Sequence, residues 1–251
     1  MALNLQVEAV KESERKIQLE KKKKRRLKPE VKGLLIFIIV LFSLVAVYSV
    51  YREMTEFVFE EDLEETIVTI NDTMISLKEI SYYVIQVEED GNDYAMQYNP
   101  DNPEEYWGLY MNQATESGYI TNLAKDAALN YCIRDNIYYQ EAAAEGMELT
   151  AEEKEEVRND AESEYFNMSL RQREMTQLTP EELEQIMTKA AVARKYMFWM
   201  AEQDEEASVL EMITLYYDVG GSYYEQVKAS YTVEVNEKIW SHIHPGHVTI
   251  N

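Results

Sequence analysis

Residues 137–153, IYYQEAAAEGMELTAEE, decide how the chain folds, because they contain the end of one helix and the start of the next. The Ala- and Glu-rich part favours helix. Gly146 is typical of the residue just past a helix, where the backbone turns left-handed. Thr150 followed by Glu153 forms a capping box, which starts a new helix. The stretch therefore predicts consecutive helices joined by a short turn.

Similar start signals recur on both sides of this stretch. Ser76 with Glu79 predicts one helix start, and Thr179-Pro180 with Glu182 predicts another. Near the two ends, Thr66–Ile70 and Tyr231–Val235 are rich in β-branched residues and predict short strands. We expect about five helices and two strands that pair with each other. Residues 91–103, GNDYAMQYNPDNP, are turn-rich and predict a loop.

The charge is divided unevenly along the chain. The 251 residues carry a net charge of -23, yet residues 1–32 hold eleven Lys and Arg against five Glu. An uncharged run, residues 33–51, follows this basic tail. It predicts an N-terminal transmembrane helix, because about 20 apolar residues span a bilayer. The positive-inside tendency then places the tail in the cytoplasm and the acidic remainder outside the cell membrane.

These patterns predict a mainly α protein, with one transmembrane helix followed by a helical domain. The predicted parts are a basic cytoplasmic tail at 1–32, the transmembrane helix at 33–51, an acidic stalk at 52–65, the helical domain at 66–241 and a His-containing tail at 242–251.

Three stretches resemble the chaperone domain of SurA-like and PrsA-like foldases, the SurA N-terminal type of domain. Ile67–Glu79, IVTINDTMISLKE, resembles its opening strand, turn and helix start. Residues 137–153 resemble its helix–glycine–capped-helix signature. Residues 223–243, YYEQVKASYTVEVNEKIWSHI, resemble its closing helix and strand. The order and spacing of these motifs carry the resemblance, over about residues 65–243.

One departure from the family bears on function. PrsA-like proteins carry a parvulin prolyl-isomerase domain of about a hundred residues before the closing helix and strand, whereas only Ala201–Ala207 stand at that place here. No isomerase residue can be carried over, so we expect no isomerase activity and no enzyme. The resemblance implies a chaperone domain without its catalytic insert.

The leading hypothesis is therefore a single-pass membrane chaperone that binds unfolded or partly folded exported polypeptides. The alternative is a structural or scaffolding subunit of a cell-envelope complex with one fixed partner. The lipid bilayer is the second expected partner. Nucleic acid is not expected, because a strongly acidic surface repels phosphates.

Met and Tyr are the candidate peptide-binding residues, since the chain has 12 Met and 19 Tyr against 6 Phe. Met adapts to varied partners, and Tyr joins an apolar ring to a polar tip. The residues chosen for such a surface are Tyr83, Tyr138, Tyr139, Met187, Met197, Met200 and Tyr217.

Other chemistry finds little support in the sequence. The spacing of His242, His244 and His247 would allow metal binding. An exposed tail is the favoured interpretation, and no metal or cofactor is expected. Cys132 lies on an apolar helical face and is interpreted as a packed small residue. Acidic clusters are explained by solvated helix faces and helix starts.

Overall fold

The computed structural model describes residues 12, 14–16, 29–55, 57–112, 117–203, 211 and 213–246. The described chain divides into two compact units, with the boundary between Glu56 and Phe57. Most of the predicted tail at 1–32, and residues 247–251 with His247, lie outside the described residues. Each unit is described by itself.

The first unit contains helix α1, Pro29–Thr55, which includes the predicted span at 33–51. Its described apolar side chains, Phe37 and Phe42 among them, are exposed. In the part of the chain that the structure describes, however, no helix combines the length and the apolar character that crossing a membrane requires. The prediction of a transmembrane helix is therefore corrected. A run of residues without charge is therefore not sufficient evidence of a membrane span.

The second unit is mainly helical. Its strands are β1 Thr66–Ile70, β2 Thr73–Ser76, β3 Tyr110–Asn112, β4 Ser117–Tyr119 and β5 Val233–Val235. Its long helices are α2 Leu77–Tyr98, α4 Ile120–Ala144, α5 Ala151–Asn167 and α7 Pro180–Glu202. The short helices are α3 Glu104–Trp107, α6 Leu170–Thr176, α8 Ser222–Lys228 and α9 Glu237–Trp240, and a π-helical turn covers Ile213–Tyr217.

The strands from the two ends of the domain pair, as the sequence predicts. The antiparallel sheet has the order β2-β1-β5, with Val68 opposite Val235 and Ile70 opposite Val233. Strand β2 was not predicted, nor was the hairpin of β3 and β4. Because β1 and β5 are distant in sequence, their pairing closes the domain on itself.

The helix starts follow their capping residues. Ser76, Thr150 and Thr179 each accept a hydrogen bond from the backbone N–H three residues on. At Thr150 and Thr179 the glutamate three residues on also bonds back, which completes a capping box. Gly146 has a φ of 69°, the left-handed conformation expected after α4.

The buried side chains form three clusters. The largest joins the sheet to α2, α4 and the start of α7, and includes Ile70, Ile80 and Leu183. The second joins α4, α5, α7 and α8 around Tyr138. The third is small and centres on Trp107, against the far end of α2 and the start of α4.

Two segments at the domain ends differ from the sequence-based expectation. In the stalk predicted at 52–65, Leu63 is buried and its carbonyl accepts from Lys78 N at 2.8 Å. In the predicted tail, Ile243 is buried, and the Pro245 carbonyl accepts from Thr121 Oγ1 at 3.2 Å. Residues 57–65 and 242–246 therefore belong to the folded domain, because their apolar side chains complete its core.

Candidate functional site

A groove between α5 and α7 is the largest of the cavities described in this domain, with a volume of about 550 Å³. Leu149 and Val157 form its apolar floor and are buried, while Met147 is half-buried. On the α7 side, Phe198 and Trp199 remain 43% and 38% exposed. A contiguous apolar patch left in contact with water commonly marks a binding surface. The groove is therefore the candidate functional site.

The helix starts hold the two walls in place. Thr150 begins α5, and its capping partner Glu153 also accepts from Lys195 Nζ on α7 at 2.6 Å. The hydrogen bond from Lys195, together with those from Thr150, lowers the pKa of Glu153. Both groups are partly open to water, so the ion pair adds little stability. The ion pair links α5 to α7 at this end of the groove.

Charge is unequal around the groove. Glu156, Asp160 and Glu202 line it as exposed carboxylates, whereas Arg194 is the exposed basic residue among its lining side chains. Glu153 and Lys195 neutralise each other. The rim thus has an excess of negative charge, which favours apolar segments that carry basic residues.

A second cavity, of about 380 Å³, shares Met147 and Leu149 with the groove. Tyr139, Thr188 and Val192 line its other side. Tyr139 is one of the residues predicted to bind peptide, and it is half-buried here. The shared residues extend the apolar surface from the groove along α7 towards Tyr139.

The structure separates the predicted site residues into two groups. Tyr83, Tyr138 and Met197 are buried and fill the core, so they cannot contact a ligand directly. Tyr138 also donates a hydrogen bond to the Tyr216 carbonyl. Tyr139, Met187, Met200 and Tyr217 are half-buried and pack against the cluster around Tyr138. Of all seven, Tyr139 alone appears among the residues that line the described cavities.

Sequence reasoning missed Phe198, Trp199 and Met147. The signal was present, because Phe198 and Trp199 lie beside Met197 on α7 but off the face that carries Leu183, Ile186 and Met197 into the core. Consecutive helical residues point about 100° apart. Phe198 and Trp199 therefore cannot point in the same direction as Met197, and each must contact another helix or water.

A buried ion pair lies on α4, and neither of its residues lines the groove. Arg134 Nε donates to Asp135 Oδ1 at 2.9 Å, and Arg134 Nη2 donates to the Tyr217 hydroxyl at 2.9 Å. The guanidinium also stacks on the Tyr217 ring, 3.7 Å from its centroid. Burial raises the pKa of Asp135, against the lowering effect of Arg134 and of the Tyr83 hydroxyl. The pair fixes the π-helical turn to α4 and opens on none of the cavities described above.

A smaller polar cavity, of about 180 Å³, lies between α2 and α7. Lys189 Nζ donates to both carboxylate oxygens of Glu79 at 2.8 Å, and Lys78 Nζ donates to Glu182 at 2.6 Å. These groups neutralise one another and hold α2 against α7. Across the described residues, no group of three His, Cys, Asp or Glu side chains is placed to hold a metal ion.

Comparisons of this chain with protein-family models, curated proteins and solved structures find no match. The likeness to SurA-like and PrsA-like foldases therefore remains a prediction from the motifs in the sequence.

Proposed function

We propose that this protein binds unfolded or partly folded polypeptides without catalysing a reaction, and that the groove between α5 and α7 receives them. The observation that carries this proposal is the exposure of Phe198 and Trp199 over an apolar floor. Contact between such a grouped apolar surface and water is unfavourable. An apolar segment of another polypeptide would cover it.

The composition of the groove supports binding of varied segments over binding of one small molecule. Its apolar part combines Met147, Phe198 and Trp199, which adapt to different side chains or offer flat contact area. The carboxylates at its rim, Glu156, Asp160 and Glu202, have no ion-pair partner among the described residues. They would attract basic side chains beside an apolar segment and keep the empty groove soluble.

The test measures how the full chain delays aggregation of several unrelated denatured proteins. We expect the wild type to delay it, and the double variant Phe198→Ser/Trp199→Ser to lose most of that effect. Phe166→Ser is the matched control, because Phe166 is 74% exposed on α5 and does not line the groove. Thermal unfolding should show that both variants remain folded.

Two outcomes contradict the proposal. Equal protection by the wild type and the double variant would exclude the groove as the client site. Failure of the wild type to protect any denatured protein would exclude general polypeptide binding. Stable capture of a single folded partner in that case would favour a scaffolding role.

A further inference from the structure

A separate region of the domain combines tyrosines with an excess of acidic over basic residues. Between Glu79 and Ala124 the sequence holds nine Asp and Glu and seven Tyr, with no Lys, Arg or His. The region comprises α2, α3, the hairpin of β3 and β4, and the first residues of α4. It shares no residue with the groove between α5 and α7.

Three tyrosines from this region gather at the surface. Tyr94 and Tyr98 lie one turn apart on α2, and both are more than half exposed. The Tyr106 ring on α3 is near both, with its centroid 6.5 Å from that of Tyr94 and 6.4 Å from that of Tyr98. The Tyr94 and Tyr106 planes are within 16° of parallel. We call these three residues the tyrosine cluster.

A buried side chain holds the Tyr106 ring of the tyrosine cluster in place. Tyr106 packs edge to face on Trp107, 5.7 Å between centroids, and Trp107 is buried. The indole of Trp107 fits because Gly91 has no side chain. A Cβ at position 91 would lie 2.5 Å from Trp107 Cη2. A site that is already ordered loses little conformational entropy when a ligand binds.

Hydrogen bonds fix the turn that joins α2 to α3. The Asn99 side chain donates to one carboxylate oxygen of Glu105 at 3.0 Å, and that of Asn102 donates to the other at 2.9 Å. Asn99 Oδ1 accepts from the backbone of residues 101 and 102. The position of Tyr106 relative to α2 is therefore set before any ligand arrives.

Elsewhere the domain supplies its own cations to aromatic rings. Arg134 covers Tyr217, Arg173 lies over Tyr165, and Lys228 lies over Tyr224. Within the described residues no such contact occurs at the tyrosine cluster. The surrounding segment contains no basic residue that could make one. A cation from outside the domain could therefore bind on the exposed ring faces of the cluster.

Exposed carboxylates strengthen the same preference. Asp90 lies four residues before Tyr94 and therefore on the same face of α2, and Asp101 and Glu104 lie in the turn and at the start of α3. All three are exposed and make no ion pair among the described residues. A cation over the rings would also lie within the field of these charges.

We propose that the tyrosine cluster binds an arginine-rich segment of a polypeptide, with guanidinium groups stacked on Tyr94, Tyr98 and Tyr106 and drawn in by the neighbouring carboxylates. Arginine fits better than lysine, because the guanidinium is planar, weakly hydrated and suited to stacking on aromatic faces. This site goes beyond the groove between α5 and α7 and does not depend on it.

The experiment measures binding of a fluorescent, short Gly-Arg repeat peptide to the full chain by polarisation. Matched peptides replace every arginine by lysine or by uncharged citrulline. We expect the arginine peptide to bind several-fold more tightly than the lysine peptide, and the citrulline peptide to bind at least about tenfold more weakly. Affinity should fall as salt rises, because exposed charges are screened.

Variants distinguish the tyrosine cluster from general attraction to an acidic protein. Tyr94→Ala/Tyr98→Ala removes two rings without changing the net charge, and we expect it to weaken arginine-peptide binding about tenfold. Tyr94→Phe/Tyr98→Phe keeps the rings and should bind nearly as wild type. Tyr110→Ala is the control, because Tyr110 is 60% exposed and packs on Tyr119, outside the cluster.

The result that overturns the proposal is unchanged affinity in Tyr94→Ala/Tyr98→Ala, which would show that net charge alone attracts the peptide. Equal affinity for arginine and citrulline peptides would overturn it as well. Circular dichroism and thermal unfolding of each variant establish that a loss of binding is not a loss of fold.

Discussion

Removing one partner of the buried ion pair on α4 should destabilise the domain strongly. The side chains of Arg134 and Asp135 are 7% and 6% exposed. In the variant Arg134→Leu, Asp135 loses the hydrogen bond from Arg134. It keeps the hydrogen bond that the Tyr83 hydroxyl donates at 3.3 Å. Breaking a buried pair in this way costs about 3–5 kcal/mol. For a domain of this size that corresponds to a Tm lower by about 6–20 °C.

The same variant should show a characteristic dependence on pH. Burial already raises the pKa of Asp135, and loss of Arg134 should raise it further. A carboxyl with a raised folded pKa binds more protons in the folded state. The free energy of unfolding therefore falls as pH rises from the unfolded pKa, about 3.9, through the folded pKa. The deficit of the variant should be largest at neutral pH and shrink towards pH 4.

Urea unfolding followed by circular dichroism, at several pH values, measures this effect. The double variant Arg134→Leu/Asp135→Asn is the control, because it removes the buried charge together with its partner, and we expect less than half of the single variant's loss. A loss below about 1 kcal/mol in Arg134→Leu, equal at neutral and acidic pH, would show that Asp135 is not a buried charge, and would refute the reasoning.

Three further substitutions test local features by urea unfolding. Gly91→Ala should cost about 1–3 kcal/mol, because the new Cβ would meet the Trp107 indole at 2.5 Å; Gly108→Ala, with its nearest neighbour at 3.6 Å, is the control. Thr150→Ala should cost about 1 kcal/mol through loss of the α5 cap, and Thr150→Ser should restore most of it. Lys189→Met should cost about 1–3 kcal/mol, because it leaves the largely buried Glu79 carboxylate without its cation. Lys189→Arg should cost less. An equal loss of stability in both variants would show that the charge is not what matters.

Helix boundaries were predicted well where a local chemical signal exists. The starts at Ser76, Thr150 and Thr179 and the turn at Gly146 all follow from side chains that satisfy nearby backbone groups. Residues 91–98 were predicted as loop, but they form the last turns of α2 and pack against Trp107 of another helix. That contact is distant in sequence, and no local pattern reveals it.

The candidate site was harder to predict from the sequence. Composition pointed to Met and Tyr, but the second core cluster takes up Tyr138 and Met197, because several helices converge there. Whether an aromatic side chain is buried depends on which helix packs over it. Phe198 and Trp199 remain uncovered because α5 and α7 leave the groove between them.

The most direct test of the proposed function is acrylamide quenching of Trp199 fluorescence during client binding. Trp199 is 38% exposed, whereas Trp107 and Trp240, the remaining tryptophans, are 4% and 2% exposed. The quenchable emission therefore comes mainly from Trp199, and Trp199→Phe provides the background. We predict that a bound denatured protein protects Trp199 and shifts its emission to shorter wavelength. Client binding that leaves the quenching unchanged would contradict the account.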